Sequence, residues 1–345
     1  MYYFTSDYTE GCHPEILKKL TETNMEQTTG YGLDEHCEKA RALIKKACGR
    51  EDIDVHFLMG GTQTNLTVIK SILRPHQAVF GAVPSHINTH EAGAIEATGH
   101  KVLAIASPNG KLTAKQIEEN YEQYDKDPNR EHWAQPKMVY ISQPTEIGSL
   151  YYKDELEAIY NTCKKYGLYL FIDGARLGYG LNAEDNDVSL EDLAKLCDVF
   201  YIGGTKCGTL LGEAVVIINP NFKEDFRTIA KQSGAILAKG RVLGVQFETL
   251  FTDNLYKRIC KHGIDMAMLI KNAIWEKGLH VLTDSSTNQQ FPIMPDKMYE
   301  QLSKKYALAP WERVDKESLA VRICTSWATD EKQVQALIED IKNFK

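Results

Sequence analysis

Between residues 52 and 219, short apolar runs alternate with stretches of helical periodicity, and this rhythm constrains the fold more than any other feature of the chain. "DVHFLM" (54–59) precedes a helical pattern from Thr62 with Leu66, Ile69 and Leu73 on one face, and "QAVFGA" (77–82) precedes a helix expected from about Asn88 to Thr98. "KVLAIA" (101–106), "KMVYIS" (137–142), "LYLFID" (168–173) and "VFYIGG" (199–204) follow, with helical stretches between them. Runs of four to eight apolar, β-branched and aromatic residues separated by helices predict a mostly parallel sheet covered on both faces. In such sheets ligands bind at the carboxyl ends of the strands.

From about Gly240 the rhythm changes to long helical segments, then to strand-like "QQFPIM" (289–294) and "LAVRICT" (319–325), and a last helix from Asp330. We expect a large α/β domain over 1–250, carrying an N-terminal arm, and a smaller α+β domain over 251–345. A chain of 345 residues has room for both.

Composition narrows the partners. A net charge of -7, with no long basic cluster, argues against a nucleic-acid or membrane-surface partner and leaves small molecules. The N-terminal "MYYFTSDYTEGCHPEILKKL" lacks a basic start, an apolar core and a small-residue cleavage site, so a cytoplasmic location is expected. The eight cysteines are scattered without a C-x-x-C pair, which predicts free thiols rather than a disulfide framework.

If the sheet forms as expected, several polar residues share its carboxyl edge. "MGGTQTN" (59–65) places Gly60 and Gly61 before a helix whose first turn holds Thr62 and Thr64, which suits a phosphate at a helix N-terminus but equally an ordinary threonine cap. "DGAR" (173–176) ends the most apolar strand in Asp173. Burying that carboxylate demands a cation, supplied either by Arg176 as a structural pair or by a protonated pyridine nitrogen. "SHINTHEAGA" (85–94) puts His86 and His90 four apart, yet the H-E-x-x-H order is absent and no third ligand is evident, so no metal is expected. His86 reads as a ring-stacking or acid/base imidazole, and His90 as a packed or hydrogen-bonded one.

Lys206 lies in "YIGGTKCGTLLGEAVVII" (201–218), in a tight turn between two buried runs. A solvated turn lysine is the plain reading; a Schiff-base lysine, desolvated so that its amine can lose its proton, is the sharper one. Glycine turn, strand-end aspartate and later strand-end lysine, in that order, are the parts of a pyridoxal 5'-phosphate (PLP) site. The joint pattern is far more specific than any one piece.

At these residues the chain resembles the threonine aldolase / β-eliminating lyase family, PLP enzymes of the aspartate-aminotransferase fold (fold type I), over nearly its whole length. "TSDYTEGCHP", "YGLDE", "GGTQTN", "SHINTHEAGA", "DGAR", "GGTKCG" and "VRICTSW" carry the likeness. The resemblance implies Lys206 as the Schiff-base lysine, Asp173 on the pyridine nitrogen and His86 stacked on the ring, with Gly61, Thr62 and Thr205 at the phosphate. It also implies Ser6, Arg176 and Arg322 at the substrate carboxylate, and a homodimer or homotetramer in which Lys231, Lys239 and Tyr31 reach a neighbour's site. "QPTEIG" (143–148) departs from the family, with Glu146 replacing a histidine expected near the substrate hydroxyl, and leaves His86, Glu146 or a water as the base. The implied reaction is cleavage of L-threonine or L-allo-threonine to glycine and acetaldehyde. Another PLP lyase acting on a different β-substituted amino acid, or a non-catalytic α/β binding protein, are the alternatives.

Overall fold

The computed structural model describes residues 1–345. Its strands in chain order are β1 (Tyr2–Tyr3), β2 (Asp54–Leu58), β3 (Gln77–Ala82), β4 (Val102–Ile105), β5 (Gln135–Ser142), β6 (Tyr169–Asp173), β7 (Val199–Gly203), β8 (Glu213–Ile217), β9 (Gln289–Gln290), β10 (Ile293–Pro295), β11 (Tyr306–Ala307), β12 (Ala309–Arg313) and β13 (Ser318–Cys324). Seven of them form one sheet in the order β2-β8-β7-β6-β5-β3-β4. β8 is antiparallel to both its neighbours, and the remaining pairings are parallel.

The pleat explains why these runs are continuously apolar. Successive side chains of a strand face opposite sides, so a strand covered on both sides needs no polar alternation. Along β7, Phe200 and Ile202 enter one core while Val199 and Tyr201 enter the other. β8 divides likewise, Ala214 and Val216 against Val215 and Ile217.

A third core belongs to the smaller lobe, where β10, β13 and β12 form an antiparallel sheet and β9 pairs with β13. The helix Leu255–Glu276 joins the two lobes, because its early residues Leu255, Ile259 and Ile264 belong to the large core and Met266, Ile270 and Ile274 to the small one. The N-terminal arm packs with the small lobe: β1 pairs with β11, and Phe4 lies in the third core.

Two long helical expectations are broken, each by backbone of positive φ. The stretch expected as a helix over Asn88–Thr98 is two short helices, His86–Thr89 and Ala94–Ala97, separated at Ala92 (φ 51°) and Gly93 (φ 73°). Past Gly240, the helices Arg241–Phe251 and Leu255–Glu276 are divided at Asp253 and Asn254, both of positive φ. Left-handed residues cannot continue a right-handed helix, so each run stops where they occur. No helix is long and apolar enough to cross a membrane.

Candidate active site

Parallel pairing of β5, β6 and β7 brings their carboxyl ends to one edge. Two glycines let the chain close there. A Cβ at Gly174 would stand 1.9 Å from the Tyr201 carbonyl oxygen, and one at Gly203 would stand 2.2 Å from that of Ala175. Only residues without a Cβ permit that approach, so Asp173 and Lys206 meet because a glycine follows the first and ends the strand before the second. The narrow cleft between them is lined by Gly61, His86, Glu146, Asp173, Arg176 and Lys206 among others.

Lys206 occupies a turn closed by hydrogen bonds from the Gly204 and Thr205 amides to the Gly212 carbonyl, both 3.1 Å, and from the Gly212 amide to Thr205 Oγ1, 3.0 Å. Its ammonium has neither ion pair nor hydrogen bond. Burial, and then the charge of Arg176, push it below the ordinary lysine value, while Asp7, Asp173 and Glu213 act in the opposite sense. That is the environment a nucleophilic amine requires, and not one that suits a solvated turn.

Asp173 is held by four donors. Its Oδ1 accepts from the Tyr201 hydroxyl (2.5 Å) and the Ala175 amide (2.9 Å), and its Oδ2 from the Tyr140 hydroxyl (2.5 Å) and Asn65 Nδ2 (3.0 Å). Burial alone would raise its pKa, but the charge of His86 and these hydrogen bonds outweigh it and hold the carboxyl below its usual value. Asn65 Nδ2 also donates to Glu91 Oε1 (2.7 Å), which in turn pairs with His86 Nδ1 (2.8 Å).

Glu146 enters the cleft with one oxygen already engaged. Its Oε1 accepts from the His86 amide (2.8 Å) and from the Ser142 hydroxyl (2.7 Å), and so holds the start of the short helix bearing His86. Burial raises its pKa against the lowering effect of the Ser142 hydrogen bond.

The remaining sequence candidates divide. Arg176 is largely buried and forked on the fully buried Asp7 through Nε (2.7 Å) and NH2 (3.0 Å), with Asn288 Nδ2 also on that carboxylate (2.9 Å). Arg322 donates from NH2 to the Thr5 carbonyl (2.8 Å), beside half-buried Ser6, and its buried Nε has no protein partner. Thr62 is exposed in the first turn of the helix Gly61–Ile72. Tyr31, Lys231 and Lys239 do not line this cleft: Lys231 lies over the exposed Tyr31 ring (4.5 Å), and Lys239 lines a separate groove with Gly30 and Arg241. His90, expected to be packed or hydrogen-bonded, packs its ring near those of His86 (5.6 Å) and Trp311 (6.3 Å) at an exposed position, and the ring has no hydrogen-bond partner.

Several contributors lie in the quoted segments without a pattern that assigns them a role. Asn65, Glu91, Tyr140, Tyr201 and Glu213 are single polar residues inside helix or strand patterns, and only the three-dimensional meeting of elements gives them a role. Asp7 had a signal, since it stands beside Ser6 in the quoted N-terminal segment, and a buried guanidinium such as Arg176 calls for a carboxylate.

Glu213 makes an electrostatic prediction. It is buried beside the lysine turn, accepting from the Gly204 amide (3.1 Å), and burial pushes its carboxyl up to about 8 despite the Thr205 hydrogen bond and the Lys206 charge. A carboxyl whose folded value exceeds its unfolded one makes the folded state bind more protons, so this group lowers stability as pH rises from about 4.5 to about 8. Glu213→Gln should therefore unfold at nearly the wild-type temperature near pH 4 and at a progressively higher relative temperature toward pH 8.5. A difference that does not vary with pH in thermal melts would refute this.

The site fits PLP on its own features. The helix starting at Gly61 has no side-chain cap, a Cβ on Gly60 would meet nothing within 4 Å, and the Thr64 hydroxyl is buried without a partner. Free amides facing open space at a helix start suit a phosphate, and the uncharged-prone lysine and strongly anionic aspartate suit an aldehyde and a pyridinium. Fold and site together define a PLP-dependent enzyme of fold type I.

Comparison with known proteins agrees. A model of the beta-eliminating lyase family matches residues 4–316. A low specificity L-threonine aldolase of Pseudomonas sp. (strain NCIMB 10558) is 31% identical over 347 residues, covering 98% of this chain and 96% of that protein. The solved structure of Leishmania major threonine aldolase superposes with a TM-score of 0.97 at 44% identity, covering 99% of each chain. Aspartate aminotransferase from Thermus thermophilus shares the fold, with a TM-score of 0.71 at 13% identity over 99% of this chain and 91% of that one. The chain belongs to the beta-eliminating lyase family, and it is a PLP-dependent lyase.

Proposed function

We propose that the protein is a low-specificity aldolase that cleaves L-threonine and L-allo-threonine to glycine and acetaldehyde. The observation that carries this reading is the desolvated, unpaired Lys206 facing the four-donor Asp173 across one cleft, in a chain related over its whole length to threonine aldolases. Lys206 would hold the cofactor covalently, and Asp173 would keep the proton on its ring nitrogen. The uncapped helix start at Gly61, with Thr62 and Thr205, would receive the phosphate, and His86 would cover the ring. When bound, PLP draws off the electron pair released as the Cα–Cβ bond of the substrate breaks.

The protein's part is orientation and proton transfer. Arg322, whose Nε is buried and unpartnered, binds the substrate carboxylate with Ser6 and the edge of Arg176 that Asp7 leaves free. In this reading Tyr31, Lys231 and Lys239 serve a neighbouring subunit in a cytoplasmic homodimer or homotetramer, which is supported by their position outside their own cleft.

The test is incubation of the purified, PLP-loaded protein with each threonine diastereomer, assaying glycine and acetaldehyde. Both products are expected from both isomers. An α-keto acid with ammonia, and no glycine, would replace aldol cleavage with β-elimination.

A further inference from the structure

A row of side chains leads out of the cleft from His86. The His90 ring lies 5.6 Å from that of His86 and 6.3 Å from that of Trp311, and the Arg322 guanidinium stands 5.3 Å from the Trp311 ring. Trp311 is the extra residue of a bulge between Pro310 and Glu312, where β12 slips its register on β13. A bulge re-aims the side chain it carries, here toward His90 and Arg322. His90 therefore sits between the residue assigned to the cofactor ring and the residue assigned to the substrate carboxylate.

This inference rests on the aldolase reading. An amino acid anchored by its amine at the cofactor and by its carboxylate at Arg322 has one other carbon substituent on Cα, the β-carbon with its hydroxyl. Glu146 lines the cleft, but one of its oxygens already accepts two hydrogen bonds and its carboxyl is buried, so only its second oxygen is left to compete for that proton. His90 is exposed beside His86, which lines the cleft, and its ring nitrogens have no protein partner. Partial desolvation, followed by the charges of His86, Arg322, Lys206 and Arg176, keeps its imidazole neutral to a lower pH than usual.

We infer that His90 is the catalytic residue that accepts the β-hydroxyl proton. The substrate O–H bond breaks as a ring nitrogen of His90 takes the proton, the oxygen forms the aldehyde C=O, and the Cα–Cβ bond breaks with its electron pair left at Cα. Cα then takes a proton to give glycine, and the His90 imidazolium releases its own to solvent, so no oxidant or reductant is needed.

The experiment uses PLP-loaded wild type, His90→Phe and His90→Gln. An exposed ring without hydrogen bonds can be replaced without loss of fold. We expect kcat for both threonine diastereomers to fall about 10²-fold, the size typical of a lost general base. Glycine lacks a β-substituent, so its dissociation constant, read from the cofactor's absorbance, should stay within about twofold of wild type. Unchanged kcat in both variants would overturn the assignment. Glycine binding weakened in parallel with kcat would also overturn it, by showing that His90 only supports the helix carrying His86. Wild type cleaving neither diastereomer would refute the aldolase reading itself and the inference with it, a result read from wild type alone.

Discussion

Lys206→Ala is expected to leave no measurable cleavage of either threonine diastereomer, the largest loss any single substitution here should cause. The side chain is half-buried, unpaired and pushed below the ordinary lysine value, and no other lysine lines the cleft. Removing it deletes the nucleophile itself, and no neighbouring group can take over that chemistry. Two measurements check this: turnover in the variant without added amine, and the site of borohydride-dependent labelling in wild type, expected on Lys206. Full activity in the variant, or a label elsewhere, would overturn the assignment.

Asp173→Asn should be nearly as damaging, for a different reason. The carboxylate accepts two hydrogen bonds on each oxygen. An amide of the same shape must turn its NH2 toward one of those donor pairs, so either Tyr201 and the Ala175 amide or Tyr140 and Asn65 lose their acceptor. Each buried donor left unpaired costs about 1–3 kcal/mol. The negative charge that would hold a proton on the ring nitrogen is lost as well, and kcat should fall about 10²–10³-fold, as when one preorganised electrostatic contact is removed. A lower unfolding temperature together with the loss of kcat is expected; a variant with wild-type kcat would show that the carboxylate serves the fold alone.

The edge shared by Asp173 and Lys206 was legible because both end apolar runs, and parallel strands joined through helices must present like ends together. The close approach of Gly174 and Gly203 adds what the pattern did not contain, the contact of two backbones that brings the side chains within one cleft. The break at Ala92 and Gly93 went the other way. Periodicity favoured one helix from Asn88, whereas the left-handed pair turns the chain so that Glu91 is buried against His86 and Asn65.

His90 and Glu146 show the same division from the side of the chemistry. Both were visible as titratable residues near candidate motifs, but neither spacing nor residue type distinguishes a carboxylate occupied by a backbone amide from an imidazole left open. That distinction depends on what lies within about 3 Å of each polar atom, the reach of a hydrogen bond.

The sequence by itself determined the layered α/β architecture and the order of the glycine turn, aspartate and lysine along it, because apolar periodicity and strand-end residues are properties of neighbours in the chain. Only the tertiary structure decided that Asp7 occupies one edge of Arg176, that four donors converge on Asp173, and that His90 stands free between His86 and Arg322. The hydrogen bonds among them join residues up to 169 positions apart, and their energies depend on distance and burial, which no local pattern encodes.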